Sequence, residues 1–130
     1  MRKYFDARES ASVRQRKMLQ DTDLAKMVRL GYKTSPTVKR MLDAAKINPR
    51  NVKTREDLEG LPVTSREKLV EMELKRPPYA NLENPAIHVD RIFTSPGPVY
   101  EPHLSETDYL WARAFFAAGI GPGDEVIYVR

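Results

Sequence analysis

The sequence predicts a mixed α/β fold, mostly helical through residue 73. The first strand–loop–helix–strand of a larger, incomplete sheet domain follows. Three observations lead there. Helix-capping residues recur through the first half of the chain. The two convincing β-prone runs, at 91–93 and 126–129, flank a Pro/Gly-rich loop and an amphipathic stretch. The second run, Val126-Ile127-Tyr128-Val129, is nearly continuously apolar, the style of a strand covered on both faces. Two strands are marginal as an independent sheet, so the run calls for neighbours that these 130 residues do not supply.

In chain order, residues 7–30 carry a helical pattern. It reads as two segments jointed near Asp21-Thr22-Asp23, whose short polar side chains can cap a new start. Leu24, Met27, Val28 and Leu30 form its apolar stripe. Ser35-Pro36 marks a helix start, with Ser as N-cap and Pro at the first helical position. Val38, Met41, Leu42 and Ala45 line one face, and Pro49 biases Asn48 away from helix and ends it. Thr54-x-x-Asp57 and Thr64-x-x-Glu67 resemble capping boxes on either side of an extended Leu61-Pro62-Val63 connector. Residues 75–90 hold three prolines and no periodicity, which marks a boundary. Ser105-x-x-Asp108 caps a helix over 105–118, with Leu110, Ala114, Phe115 and Ala118 at helical spacing and Gly119 as its stop.

Composition narrows the function classes. The chain is long enough for a real core and rich in charge, as a soluble protein is. No apolar run approaches the roughly 18 residues of a membrane span, and the N-terminus lacks the apolar core of a secretory signal. With no cysteine there are no disulfides or thiolate metal sites, which suits the cytoplasm. His88 and His103 have no helical metal partner and read as surface loop residues. The net charge of +4 hides an asymmetry: residues 1–55 hold 15 Lys/Arg and 5 Asp/Glu, whereas residues 56–130 hold 7 and 13. A basic half invites a nucleic-acid reading. The alternative is solvated helix faces that dock on the acidic half. Alternation such as Lys26-Met27-Val28-Arg29-Leu30 favours helix faces over a nucleic-acid surface.

The loop after residue 93 carries the chemistry. Strand, tight loop, helix, strand is the order in which α/β enzymes expose backbone N–H groups to a phosphate. Residues 91–102, R-I-F-T-S-P-G-P-V-Y-E-P, therefore point to nucleotide chemistry, although the loop has no Lys and several prolines. The expected division is a helical N-terminal subdomain (1–74), a Pro-rich connector (75–90) and the start of an α/β nucleotide-binding subdomain (91–130).

An ordered set of motifs then resembles a known family. Tyr4-Phe5-Asp6 is followed by S-P-T-V-K-R-M-L-D-A-A-K-I-N-P at 35–49 and L-E-G-L-P-V-T-S-R-E-K-L at 58–69. The 91–102 loop, D-Y-L-W-A at 108–112 and G-I-G-P-G-D at 119–124 complete the set. Taken together they resemble the N-terminal part of phenylacetate–coenzyme A ligases, within the AMP-forming adenylating (acyl-CoA synthetase) superfamily. The resemblance implies an enzyme that turns ATP and a carboxylic acid into an acyl-adenylate and then into acyl-CoA, with ATP/AMP, Mg and coenzyme A as its cofactors. It implies cofactor-binding roles for Thr94, Ser95, Gly97 and Arg66, the last where the family has a Lys near its phosphate loop. No catalytic or metal-binding residue is assigned in this chain.

The loop departs from the family's S-S-G-T-T-G-K-P. Ser95, Gly97 and Pro102 match. Pro96 and Pro98 remove two N–H donors, Val99 removes a hydroxyl, Tyr100 replaces a glycine and Glu101 stands where the Lys would face phosphate. Either the loop is retuned for a different nucleotide state, or it is a rigid structural turn. Arg66 is correspondingly a phosphate contact or a solvated first-turn residue. Trp111, Phe115 and Phe116 are core or part of an aromatic acyl pocket. The family's adenine, ribose and C-terminal Lys elements are absent, so the chain is expected to bind no cofactor tightly and not to turn over alone. The expected partner is the rest of the enzyme, or a complementing chain at strand 126–129, or a second copy. A non-catalytic binding or regulatory module on the ligase scaffold is the alternative.

Overall fold

The computed structural model describes residues 4–104 and 111–125. Helix α1 (Val13–Thr34) begins at Ser12, whose hydroxyl accepts from the Gln15 N–H while the Gln15 side chain accepts from the Ser12 N–H. The helix is continuous, with no joint at Asp21-Thr22-Asp23. Two of those three polar side chains are satisfied within it: Thr22 Oγ1 donates to the Met18 carbonyl at 2.8 Å, and Asp21 pairs with Lys17 at 3.1 Å. Bonding back one turn lets such side chains sit inside a continuous helix in place of starting a new one. Leu24 and Val28 are half-buried, but Met27 and Leu30 of the expected stripe face solvent.

Helix α2 (Pro36–Ala44) starts where its cap predicts, with Ser35 Oγ accepting from the Val38 N–H at 3.1 Å. It stops short of Asn48-Pro49. Lys46 adopts φ 56°, the Ile47 N–H reaches back to the Leu42 carbonyl and the Lys46 N–H to that of Asp43, a Schellman closure without glycine. The α2 N-terminus anchors a distant loop around residues 79–81. Ser35 Oγ donates to the Asn81 carbonyl at 2.7 Å and Thr37 Oγ1 to that of Ala80 at 2.5 Å, where both loop residues have positive φ. Leu42, Val52, Tyr79 and Ala80 are buried and form the small core around this junction.

The Thr54–Asp57 capping box is present, on a short 3₁₀ helix (Arg55–Leu58). Helix α3 (Arg66–Lys75) is capped by Ser65, whose hydroxyl accepts from the Lys68 N–H, one residue later than the predicted Thr64. Strand β1 (Arg91–Ser95) is longer than expected and pairs antiparallel with β2 (Val99–His103). The mixed fold class stands, and within it the phosphate-type loop is the tip of a hairpin. Strand β2 tolerates Pro102, which the sequence places in a loop. The Tyr100 N–H points away from β1 to Glu73. Residue 102 has the same orientation, so its missing donor costs the ladder nothing. His103 lies half-buried at the end of this strand, its ring edge-on to Phe93 at 5.4 Å, and not in a loop.

Helix α4 (Ala112–Ala117) closes with Gly119 at φ 82° and the Ile120 N–H bonded to the Phe115 carbonyl, as predicted for that glycine. The predicted Ser105–Asp108 cap and the 126–129 strand lie outside the described residues. The N-terminal segment packs on α4: Phe5 meets Phe116 edge-on at 6.0 Å, and Arg113 Nε donates to Asp6 at 3.1 Å. Here the acidic partner belongs to the basic half, opposite to the docking that charge asymmetry suggests.

Candidate functional site

The site is built where α3 meets the hairpin tip. Ser65 fixes the start of α3 and so aims Arg66, its first residue, across 29 positions of sequence at the turn. One guanidinium nitrogen donates to Ser95 Oγ at 2.8 Å and also to the Pro96 carbonyl. Gly97 has φ 116°, and a Cβ on it would sit 2.8 Å from Arg66 Nε. The glycine therefore serves two ends, a backbone that side-chain-bearing residues rarely adopt and the close approach of a cation.

A second clamp lies two turns further along α3. Glu73 is buried and accepts the Tyr100 N–H at 3.0 Å, so the helix grips both the tip and the outer edge of β2. Val99, at the start of β2, is also buried. Glu67 is held below the ordinary carboxylate range, first by its own backbone N–H and then by the Ser65 hydroxyl. Carboxylates near an N-terminal helix turn are stabilised in this way.

Three of the four residues singled out by sequence, Arg66, Ser95 and Gly97, are thus in direct contact. Thr94 is exposed on β1 opposite Tyr100. Glu101 stands opposite Phe93 within the strands. Glu73 was missed, because a glutamate in a charged helix carries no local sign of burial. Trp111 and Phe115 are exposed and Phe116 packs on Phe5, so Trp111 and Phe115 do not form a core.

What the turn can hold follows from its donors. Of residues 96–98 only Gly97 has an N–H. The cradle of successive backbone donors that a polyphosphate needs is not present at this tip. The geometry instead offers one guanidinium over one glycine, which suits a single phosphoryl group. For Mg, no group of three or more His, Asp or Glu suited to an ion occurs among the described residues, so no step is assigned through it.

Compared by sequence, the chain matches no family model and no curated protein. Compared by structure, its fold is similar to part of solved ligase structures. Three of the similar structures are of 2-hydroxyisobutyryl-CoA ligase. In the postadenylation state with 2-HIB-AMP it aligns over 86% of this chain at TM-score 0.75, and with R3-HIB-AMP over 90% at 0.76. With 2-HIB-AMP and CoA in the thioesterification state it aligns over 93% at 0.76. Identity is 22% in each case. The chain spans about a quarter of the length of these ligases, 25% to 28%. No helix among the described residues is long and apolar enough to cross a membrane.

Proposed function

We propose that this chain is the N-terminal part of an AMP-forming acid–CoA ligase of the phenylacetate–CoA ligase-like type. The complete enzyme would take ATP and a carboxylic acid to an acyl-adenylate and then to acyl-CoA, acting in the cytoplasm. The observation that carries the reading is agreement between motif order and fold. The motif order along the sequence and the fold of 2-hydroxyisobutyryl-CoA ligase over 86% to 93% of the chain point to one scaffold. Within it, we assign 1–74 to a helical subdomain, 75–90 to a connector and 91–130 to the start of the nucleotide subdomain.

The cofactor-facing group is Thr94, Ser95, Gly97 and Arg66. Arg66 supplies at the turn the positive charge that Glu101 does not, and the Gly97 backbone leaves room for the guanidinium. Adenylation needs phosphates, carboxylate and an orienting charge held together, and these residues would furnish one phosphoryl contact. Alone the chain is not competent. The second reading, a non-catalytic module on the ligase scaffold, is favoured by one feature: the Ser95 hydroxyl and Pro96 carbonyl are already engaged by Arg66.

Carboxylate-dependent ATP–pyrophosphate exchange separates the two. The chain by itself should show none. The polypeptide extended by the remainder of its own reading frame should exchange with an arylacetic acid, and Arg66→Ala should cut that exchange at least about tenfold, the loss of one charge-assisted contact. An extended polypeptide that binds AMP without exchange would support the non-catalytic reading instead.

A further inference from the structure

The basic excess of the first half of the chain is left unused by the ligase reading, and three of its cations converge on one cavity. Helices α1 and α2 pack together, and the chain leaving α2 returns alongside α1. Between them opens a cavity of about 710 Å³, lined by Arg29 and Tyr32 of α1, Asp43 of α2 and residues 46–50. It shares no residue with the turn held by Arg66, so its assignment is independent of the ligase reading.

The cavity is rich in donors and poor in acceptors. Its one carboxylate, Asp43, is taken: Lys39 donates to it at 2.7 Å and the Tyr32 hydroxyl at 2.9 Å. These bonds, that from Lys39 first, hold Asp43 below the ordinary carboxylate range. The carbonyls of Leu42 and Asp43 are taken as well, by the Ile47 and Lys46 N–H groups. Asn48 Oδ1 accepts the Arg50 N–H at 2.9 Å, which leaves the side-chain amide N–H groups of Asn48 as donors. Against these stand Arg29, Lys46 and Arg50, none of them in an ion pair among the described residues. Arg29 reaches the Arg50 carbonyl at 3.5 Å, and most of its fork stays open.

Lys46 also holds φ 56°, a backbone that glycine or asparagine takes more readily at a helix end. A residue kept in such a conformation points to a use for its side chain. Half-buried Tyr32, Ile47 and Pro49 form the firm wall beside the cations.

We infer that this cavity binds a small phosphorylated molecule. Its phosphoryl dianion is held among Arg29, Lys46 and Arg50, and its body lies against Tyr32, Ile47 and Pro49. Guanidinium forks meet phosphoryl oxygens in paired charge-assisted bonds, and the ammonium adds a point charge. A nucleic acid would call for cations strung along a groove, whereas these three line a single cavity.

The test is an NMR titration of the 130-residue chain with phenyl phosphate, and beside it with phenyl sulfate, which has the same shape and one charge fewer. Phenyl phosphate should bind at least about threefold tighter than the sulfate and weaken as salt rises. Its largest shifts should fall on the Ile47, Asn48 and Arg50 amides. Arg29→Ala/Arg50→Ala should cut the affinity about tenfold or more. In the polypeptide extended by the remainder of its own reading frame the same double variant should cause the same loss. No binding, equal binding of the two probes, or shifts centred on Ser95 and Gly97 would each overturn the inference. So would an undiminished affinity in the double variant, or its having no effect in the extended polypeptide, where later chain would then fill the cavity. The comparison of probes and the shift map use the unaltered chain, so they stand even if the double variant fails to fold.

Discussion

Gly97→Ala probes the contact on which the candidate site depends. The alanine Cβ would arrive 2.8 Å from Arg66 Nε, 3.5 Å from Nη2 and 3.6 Å from Cζ, at φ 116°. The guanidinium is the far end of a flexible side chain and can swing aside, so collision itself is cheap. Two consequences are not. The backbone strain of a side chain at positive φ costs about 1 kcal/mol. Moving the guanidinium forfeits its bonds to Ser95 and Pro96, roughly 0.5–1 kcal/mol each at an exposed site. The loss of about 2–3 kcal/mol corresponds to a roughly 30- to 150-fold larger opening constant for the hairpin. Amide hydrogen exchange at Val99, Tyr100 and Glu101 reads it directly. Arg66→Ala should produce part of the same acceleration. The double variant should fall short of the sum by about 1 kcal/mol, because both changes remove the same hydrogen bonds. Unchanged exchange in Gly97→Ala, or strict additivity, would refute the claim that glycine and arginine form one unit.

Three other outcomes follow from the same structure. Glu73→Ala should leave the Tyr100 N–H without its acceptor and weaken the hairpin by about 1–3 kcal/mol; Glu73→Gln, which keeps an acceptor, should cost much less by the same exchange measurement. Ser35→Ala removes both the α2 cap and the bond to the Asn81 carbonyl; a destabilisation of about 1–2 kcal/mol in urea unfolding is expected, with faster proteolysis in 77–81. Hydrogen bonds from Lys75 and then Lys68 lower the Glu71 pKa from 4.5 to about 2. The folded value is depressed, so this contribution is full above pH 4.5 and is lost as pH falls towards 2. Carboxyl NMR should give a midpoint near 2, and Glu71→Gln should flatten the stability profile across that window.

The parts of the fold legible in the sequence are those set by local chemistry. Ser35-Pro36, the Thr54–Asp57 box and the Gly119 stop each act within four residues, and each is found where it was read. The failures have physical reasons. At Asp21-Thr22-Asp23 the side chains that cap helices also bond back within one, and Lys17 and Met18 supplied the partners. At Asn48-Pro49 a proline is a permitted end, but Lys46 ends the helix first by accepting a left-handed backbone. Strand β2 was hidden by Pro102, which offends only if its nitrogen faces the ladder. For the site, Arg66 and Ser95 stand 29 positions apart, beyond any periodicity, and it was the family pattern that put them together. Glu73 had no such pattern, and its burial follows from packing against an edge that the sequence had not revealed.

The central claim, that this chain is the front of an acid–CoA ligase, is tested most directly by reading its coding DNA beyond the codon for Arg130. The account predicts an open frame that encodes a Tyr/Phe-Gly-x-Thr-Glu segment and, near its end, the lysine that adenylation requires. A stop codon directly after Arg130 would contradict the ligase reading and leave a scaffold without catalysis.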